Sequence, residues 1–233
     1  EYYIVNPRDR YKALKRIVDF NPEIFGIVFC RTKNETKEVA DMLIKDGYNS
    51  DSLHGDLTQQ QRDVVMGRYR DRSLQLLIAT DVAARGIDVS NVTHVINFAL
   101  PDDIENYTHR SGRTARAGKK GIAISLVTKR ETQKIYELER MLERKFTSMT
   151  IPTGDQVCEA QLLSLISKAK AVEVNETQME PFMDKITSEF EDMSKEEVIK
   201  RFAALEFNRF LDYYRDNEDI NTRERSTDGR RER

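Results

Sequence analysis

The polar and apolar positions of this chain follow two rhythms. From Glu1 to about Thr128, short β-branched or aliphatic runs alternate with longer stretches of helical period. The runs Tyr2–Val5, Gly26–Phe29, Ser50–Leu53, Leu74–Ala79, His94–Phe98 and Ile122–Val127 predict strands. Between them, Tyr11–Asp19, Asn34–Lys45, Gln59–Arg70 and Ile104–Ser111 predict helices. Repeated strand–helix–strand alternation calls for a parallel sheet with helices on both faces. The most aliphatic runs should lie in its middle, buried on both sides. A further helix is expected over Lys129–Phe146, where Ile135, Leu138, Leu142 and Phe146 form one stripe. Ile151–Pro152 ends that pattern, and strand signals then stop. Amphipathic helices are predicted over Val157–Ala169, Met179–Phe190 and Lys195–Tyr214, the last opened by Ser194 with Glu197 three residues on. The pattern divides the chain into an α/β domain over 1–150, a small all-α module over 151–215 and a polar, disordered tail over 216–233.

Composition changes this picture little. The 233 residues are 39% apolar and 33% charged, with a formal net charge of -2. Overall basicity is therefore no argument for a nucleic-acid partner, and any such site has to be a local patch. The two cysteines, Cys30 and Cys158, lack metal-ligand spacing and are expected to be reduced. No apolar run approaches the ~20 residues that span a bilayer. The chain opens without Met, inside a strand signal, and is expected to be a piece of a longer protein.

The unusual chemistry lies at predicted strand ends, where ligands of open parallel sheets bind. Cys30–Arg31–Thr32, His54–Gly55–Asp56 and Thr80–Asp81 through Arg85–Gly86–Ile87–Asp88 follow three strands. A fourth segment, His109–Arg110–Ser111–Gly112–Arg113–Thr114–Ala115–Arg116–Ala117–Gly118, carries three arginines spaced by three. Their planar forks suit phosphate better than lysine does.

These four segments, in this order, resemble the C-terminal half of a superfamily 2 helicase of the DEAD-box RNA type. Ile27–Thr32 resembles motif IV; His54–Gly55–Asp56 with Gln59–Arg62 resembles the QxxR element. Ala79–Asp88 resembles motif V, and His109–Arg116 resembles motif VI, HRxGRxxR. Ser111 and Ala115 depart from the family's usual Ile and Gly, and every arginine is kept. The resemblance implies a RecA-like fold and a cytoplasmic enzyme using ATP with Mg²⁺, the metal held mainly by an N-terminal RecA-like domain. It implies that Arg113 and Arg116 act as arginine fingers, and that Gly86 and Asp88 meet the ribose. Arg31, Thr32, Gly55, Gln59, Arg62 and Thr80 would bind the backbone of single-stranded RNA without reading sequence. Arg85, His109 and Arg110 would couple the two sites. Asp56 and Asp81 are expected to hold loop geometry, since a bare carboxylate repels phosphate.

The 233 residues hold neither a Gly-x-x-x-x-Gly-Lys-Ser/Thr phosphate loop nor an Asp-Glu-Ala-Asp segment. Alone, the chain is expected not to hydrolyse ATP. The helices over 157–214 resemble, more weakly, the dimerisation module of cold-shock-type DEAD-box helicases, so a homodimer is expected. Packing of these helices on the first domain is the competing arrangement. Arg223, Arg225, Arg230, Arg231 and Arg233 open either an RNA-contacting extension or a solvated tail. A DNA-translocating superfamily 2 helicase and a pure interaction module with a degenerate core are the rival functions.

Overall fold

The computed structural model describes residues 1–89, 91–115, 120–215 and 219–221. Arg116 and nearly all of the tail, its five arginines included, lie outside the described residues.

Seven strands form one sheet, β1 (Tyr2–Ile4), β2 (Gly26–Phe29), β3 (Ser50–Leu53), β4 (Leu76–Ala79), β5 (His94–Asn97), β6 (Ile122–Val127) and β7 (Ser148–Met149). Their spatial order is β3-β4-β2-β5-β6-β1-β7. All six pairings are parallel. The helices that follow these strands are α1 (Arg10–Phe20), α2 (Lys33–Lys45), α3 (Gln59–Arg70), the single turn α4 (Asp81–Ala84), α5 (Ile104–Ser111) and α6 (Thr132–Leu142).

The two-residue repeat of the central strands divides the core in two. Val28, Leu76, Ile78, Ile96 and Ile124 point to one face, where Ala13, Leu14 and Ile17 of α1 and Val39 and Leu43 of α2 cover them. Ile27, Phe29, Leu77 and Val95 point to the other, under Val65, Met66 and Tyr69 of α3. Every residue of β2, β4 and β5 is buried, as strands covered on both faces must be. The architecture is the parallel sheet that the alternation called for, with the RecA-like fold that the resemblance implies.

Two differences from the expected elements have local causes. Helix α6 stops at Leu142 because Glu143 takes a left-handed backbone, φ 52°, and the chain then runs out to β7. Phe146 still reaches the core, stacking on Tyr107 at 5.5 Å, but from extended chain. The turn α4 is too short to leave a periodic signal.

The chain divides into two compact units. One holds Glu1–Val18, Glu23–Ile151 and the described residues from Ile220 on. Here Asn221 closes a loop on Ile151, accepting its N–H at 2.7 Å and donating to its carbonyl at 3.1 Å. The other holds Asp19–Pro22 and Pro152–Asp219. It contains α7 (Gly154–Ala171), α8 (Glu176–Glu189) and α9 (Lys195–Tyr214). Thr153 and Ser194 open α7 and α9 with reciprocal capping boxes. Tyr214 donates to the Asp19 carboxylate, and its Cβ and carbonyl oxygen lie 3.1 Å from where a side chain at Gly154 would begin.

Candidate functional site

The loops at the carboxyl ends of β2, β3 and β4 each begin by capping a helix. Thr32 accepts the Glu35 N–H at 3.1 Å to start α2, and Thr80 accepts the Ala83 N–H at 3.4 Å to start α4. Thr58 starts α3 with a full capping box to Gln61. Three helix starts thus crowd one edge of the sheet, with Arg31, Gly55, Gln59 and Arg62 set beside them. Arg31 donates to the Leu100 carbonyl at 3.2 Å and lies 3.4 Å from the Asp102 carboxylate, both contacts at the solvent edge. Gln59 donates to Asp63 at 2.8 Å, along its own helix. Arg62 leaves α3 and donates to the carbonyls of Ala83 at 2.6 Å and Arg85 at 3.5 Å. Apart from its two chain neighbours, no atom of the described residues lies within 4 Å of where a Gly55 side chain would begin, so the loop presents open backbone there.

Arg110 joins the segments after β4 and in α5. Its side chain is 2% exposed and makes a fork to Asp81, Nε to Oδ1 at 2.5 Å and Nη2 to Oδ2 at 2.8 Å. Its Nη1 donates to Asn97 Oδ1 at 2.9 Å and to the Ala99 carbonyl at 2.8 Å. The Phe29 ring lies 5.0 Å beneath the guanidinium. A charge so deeply buried is tolerable only with this degree of pairing. Arg110 thus ties Asp81 to the helix that carries His109.

Arg113 lies one turn beyond. Its Nη1 donates to the Ile87 carbonyl at 2.8 Å, and Nε to the His109 carbonyl at 3.3 Å. The guanidinium therefore rests against the backbone between Gly86 and Asp88. Gly86 has φ +76°, the left-handed conformation that favours glycine. The exposed Asp88 follows directly. The next approach is tighter: Thr114 donates to the Val92 carbonyl, and a side chain at Gly121 would begin 2.0 Å from the Thr114 hydroxyl. Only glycine passes there.

A cavity of about 360 Å³ results, lined by Phe29, Asp81, Ala84, Arg85, Gly86, Glu105, Asn106, His109, Arg110 and Arg113. It brings Arg85, Gly86, His109, Arg110 and Arg113 of the predicted sites to one surface. Arg31, Thr32, Gly55 and Gln59 do not line it and stay at the ends of β2 and β3. Arg62 bridges from that group toward the cavity through its carbonyl contacts. Sequence reasoning missed Phe29, Asn97, Glu105 and Asn106. Asn97 had a signal: it is a fully buried amide in an otherwise apolar strand, and such groups need partners.

Electrostatics separate the histidines. His54 is buried and its pKa lies below the ordinary value, first because of desolvation and then because of repulsion by Lys37. His94 is lowered by burial alone. Burial pushes the Cys30 thiol far up, which leaves it an inert core residue. Both cysteines are free. Among the described residues, no group of three His, Cys, Asp or Glu side chains could hold a metal ion. Nor is any described helix long and apolar enough to cross a membrane.

Comparison with known proteins places these segments. Residues 9–118 match the family described as helicase conserved C-terminal domain. Residues 157–215 match that described as probable ATP-dependent RNA helicase, helical domain. The DEAD-box ATP-dependent RNA helicase CshA of Bacillus thuringiensis is 43% identical over 175 residues, 75% of this chain and 33% of the relative. CshA of Bacillus licheniformis is 37% identical over 198 residues, 85% of this chain and 40% of that protein. The chain thus spans well under half the length of these curated relatives. Among solved structures, a DEAD box protein from Methanococcus jannaschii is similar with a TM-score of 0.60 and 46% identity, over 64% of this chain and 41% of that one. The E. coli DEAD-box protein SrmB, solved bound to the regulator of ribonuclease activity A, gives 0.61 and 37%, over 67% of this chain and 91% of the solved one. Four ordered motifs, a RecA-like sheet and a relative matched over nine-tenths of its solved chain lead to one assignment: this chain belongs to the DEAD-box family and carries its helicase C-terminal domain.

Proposed function

We propose that the chain is the C-terminal half of an ATP-dependent RNA helicase. In this reading its residues complete a nucleotide site begun by an N-terminal RecA-like domain of the same protein. The observation that carries it is the cavity where Arg113, braced on the Ile87 carbonyl, faces the same space as Arg85, Gly86 and His109. Such a cation-lined concavity with a side-chain-free backbone at Gly86 fits a nucleotide polyphosphate. ATP with Mg²⁺ supplies the phosphoryl group, and the other domain holds most of the metal's ligands. Arg113 and Arg116 act as arginine fingers, stabilising charge that develops on the phosphates. Asp88 accepts from the ribose hydroxyls, and Gly86 lets the backbone come close. Arg85, His109 and Arg110 couple this site to RNA, and the hydrogen bonds of Arg110 to Asp81 and Asn97 hold their frame.

Single-stranded RNA is bound through its backbone at Arg31, Thr32, Gly55, Gln59, Arg62 and Thr80. Helix capping uses only an acceptor lone pair of Thr32 and Thr80, so each hydroxyl proton is available for a phosphate oxygen. Recognition of this kind carries little base specificity. The site of action is cytoplasmic. The helical module joins two copies of the chain: in α7, α8 and α9 only Val157 and Tyr214 are buried, whereas Phe182, Phe202 and Leu205 are exposed.

The test uses the full-length protein. Arg113→Ala should lower RNA-stimulated ATPase by about three orders of magnitude or more, with RNA affinity retained. Unchanged turnover would restore the interaction-module reading. The 233-residue chain alone should show no hydrolysis. The DNA-translocating alternative predicts equal binding of single-stranded DNA and RNA in direct competition.

A further inference from the structure

Lys33 and Lys37 lie on the first turns of α2, and both reach the same carboxylate across a gap between loops. Lys33 Nζ is 3.1 Å from Asp56 Oδ1, and Lys37 Nζ is 3.2 Å from Asp56 Oδ2. All three side chains are roughly half exposed. The Asp56 backbone N–H donates to Nδ1 of the buried His54 at 3.3 Å, which ties the loop backbone at this position. Both ammonium groups hold the Asp56 carboxyl below the usual carboxylate range. Two of the three directly follow a proposed RNA contact, Lys33 after Thr32 and Asp56 after Gly55.

We infer that Asp56 is an internal stand-in for an RNA phosphate, and that Lys33 and Lys37 are two further backbone contacts which exchange the carboxylate for the nucleic acid. This rests on the RNA reading of the strand-end loops and adds residues to it. A carboxylate shared by two ammonium groups at a solvent edge is a weak, salt-screened contact, so exchange is easy. Once a phosphate oxygen lies between the lysines, Asp56 becomes a like charge close by and opposes binding. The geometry thus gives Asp56 a cost to RNA affinity and gives the lysines a salt-dependent gain. The exchange also keeps the two long side chains extended toward the strand ends before RNA arrives, which lowers the ordering cost of binding.

The test measures affinity of the 233-residue chain for single-stranded oligouridylate across a range of salt. Each phosphate contact contributes about 0.7 to the slope of log affinity against log salt for single strands. The double variant Lys33→Ala/Lys37→Ala should reduce that slope by about 1.4, and Lys33→Arg/Lys37→Arg should restore it. Asp56→Asn should tighten binding several-fold at low salt. Thermal unfolding of each variant separates loss of binding from loss of fold. If the unsubstituted chain binds with a clear salt slope that Arg31→Ala lowers but the lysine pair does not, the inference fails and the RNA reading survives. It also fails if Asp56→Asn weakens binding. If the unsubstituted chain shows no salt-dependent affinity, both fall together.

Discussion

The sheet unit and the helical unit handle the same two materials in opposite ways. In the sheet unit, apolar side chains from four central strands are buried and the notable polar groups are wired to one another. Arg110 makes four hydrogen bonds while only 2% exposed. In the helical unit the caps are equally well formed, yet large apolar side chains face outward: Leu205 is 80% exposed, Phe182 60% and Ile199 57%. Good local helix signals do not imply a filled core. A sixty-residue unit has too little interior to cover its own apolar faces, whereas a seven-stranded sheet offers two. The first unit buries the apolar faces of its central strands; the second leaves large apolar side chains exposed.

That contrast can be broken at its most tightly wired point. Arg110→Ala removes the cation from beneath Asp81 and Asn97 and should destabilise the sheet unit by about 3–5 kcal/mol, as loss of one member of a buried pair does. Denaturant unfolding measures it, and a loss below about 1 kcal/mol would mean that the network is solvated. A smaller effect sharpens the comparison through pH. Burial lowers the pKa of His94 below its ordinary 6.5, so above that value the residue is neutral whether folded or unfolded. As pH falls through 6.5, the unfolded chain takes up the proton first. Stability is present above this pH and is lost below it, by at most about 1.4 kcal/mol per pH unit for this group. Unfolding at pH 7, 6 and 5 should show the decline, and His94→Gln should reduce it to the part that His54, lowered in the same direction, contributes; a wild-type profile that rises toward pH 5 would contradict the assignment. The smallest effect on stability belongs to the other unit. Phe202→Asp with Leu205→Asp should change the unfolding free energy by about 0.5 kcal/mol or less per site, because both side chains are exposed. The same pair should shift sedimentation from dimer to monomer, and a species already monomeric at high concentration would remove the dimer.

Much of the fold could be read because its signals are local. Six of the seven strands and the helices between them announce themselves by period, and the sheet unit alternates as a parallel sheet must. What escaped reading depends on distance or brevity. Strand β7 is two exposed residues long, Ser148–Met149, and exists only because β1 offers it an edge. The end of α6 could not be placed because the stripe continues to Phe146, which packs against the core from extended backbone and is partly buried there. The motif segments could be recognised, but not their wiring. Nothing in the spacing says that Arg110 turns inward to Asp81 and Asn97 while Arg113 turns toward Ile87. Lys33, Lys37 and Asp56 were invisible as a group because they come together only when two loops meet.

The strand order also sets a schedule. Tyr2–Ile4 occupies a position between β6 and β7, paired with Ser125–Val127 on one side and Ser148–Met149 on the other. On a ribosome, the earliest segment of this sheet must wait for more than a hundred further residues before its first neighbour emerges. At about 5–20 residues per second that is a delay of roughly 6–25 s. During that interval an apolar strand is held without a ladder, and the nascent chain is at its most vulnerable to mispairing.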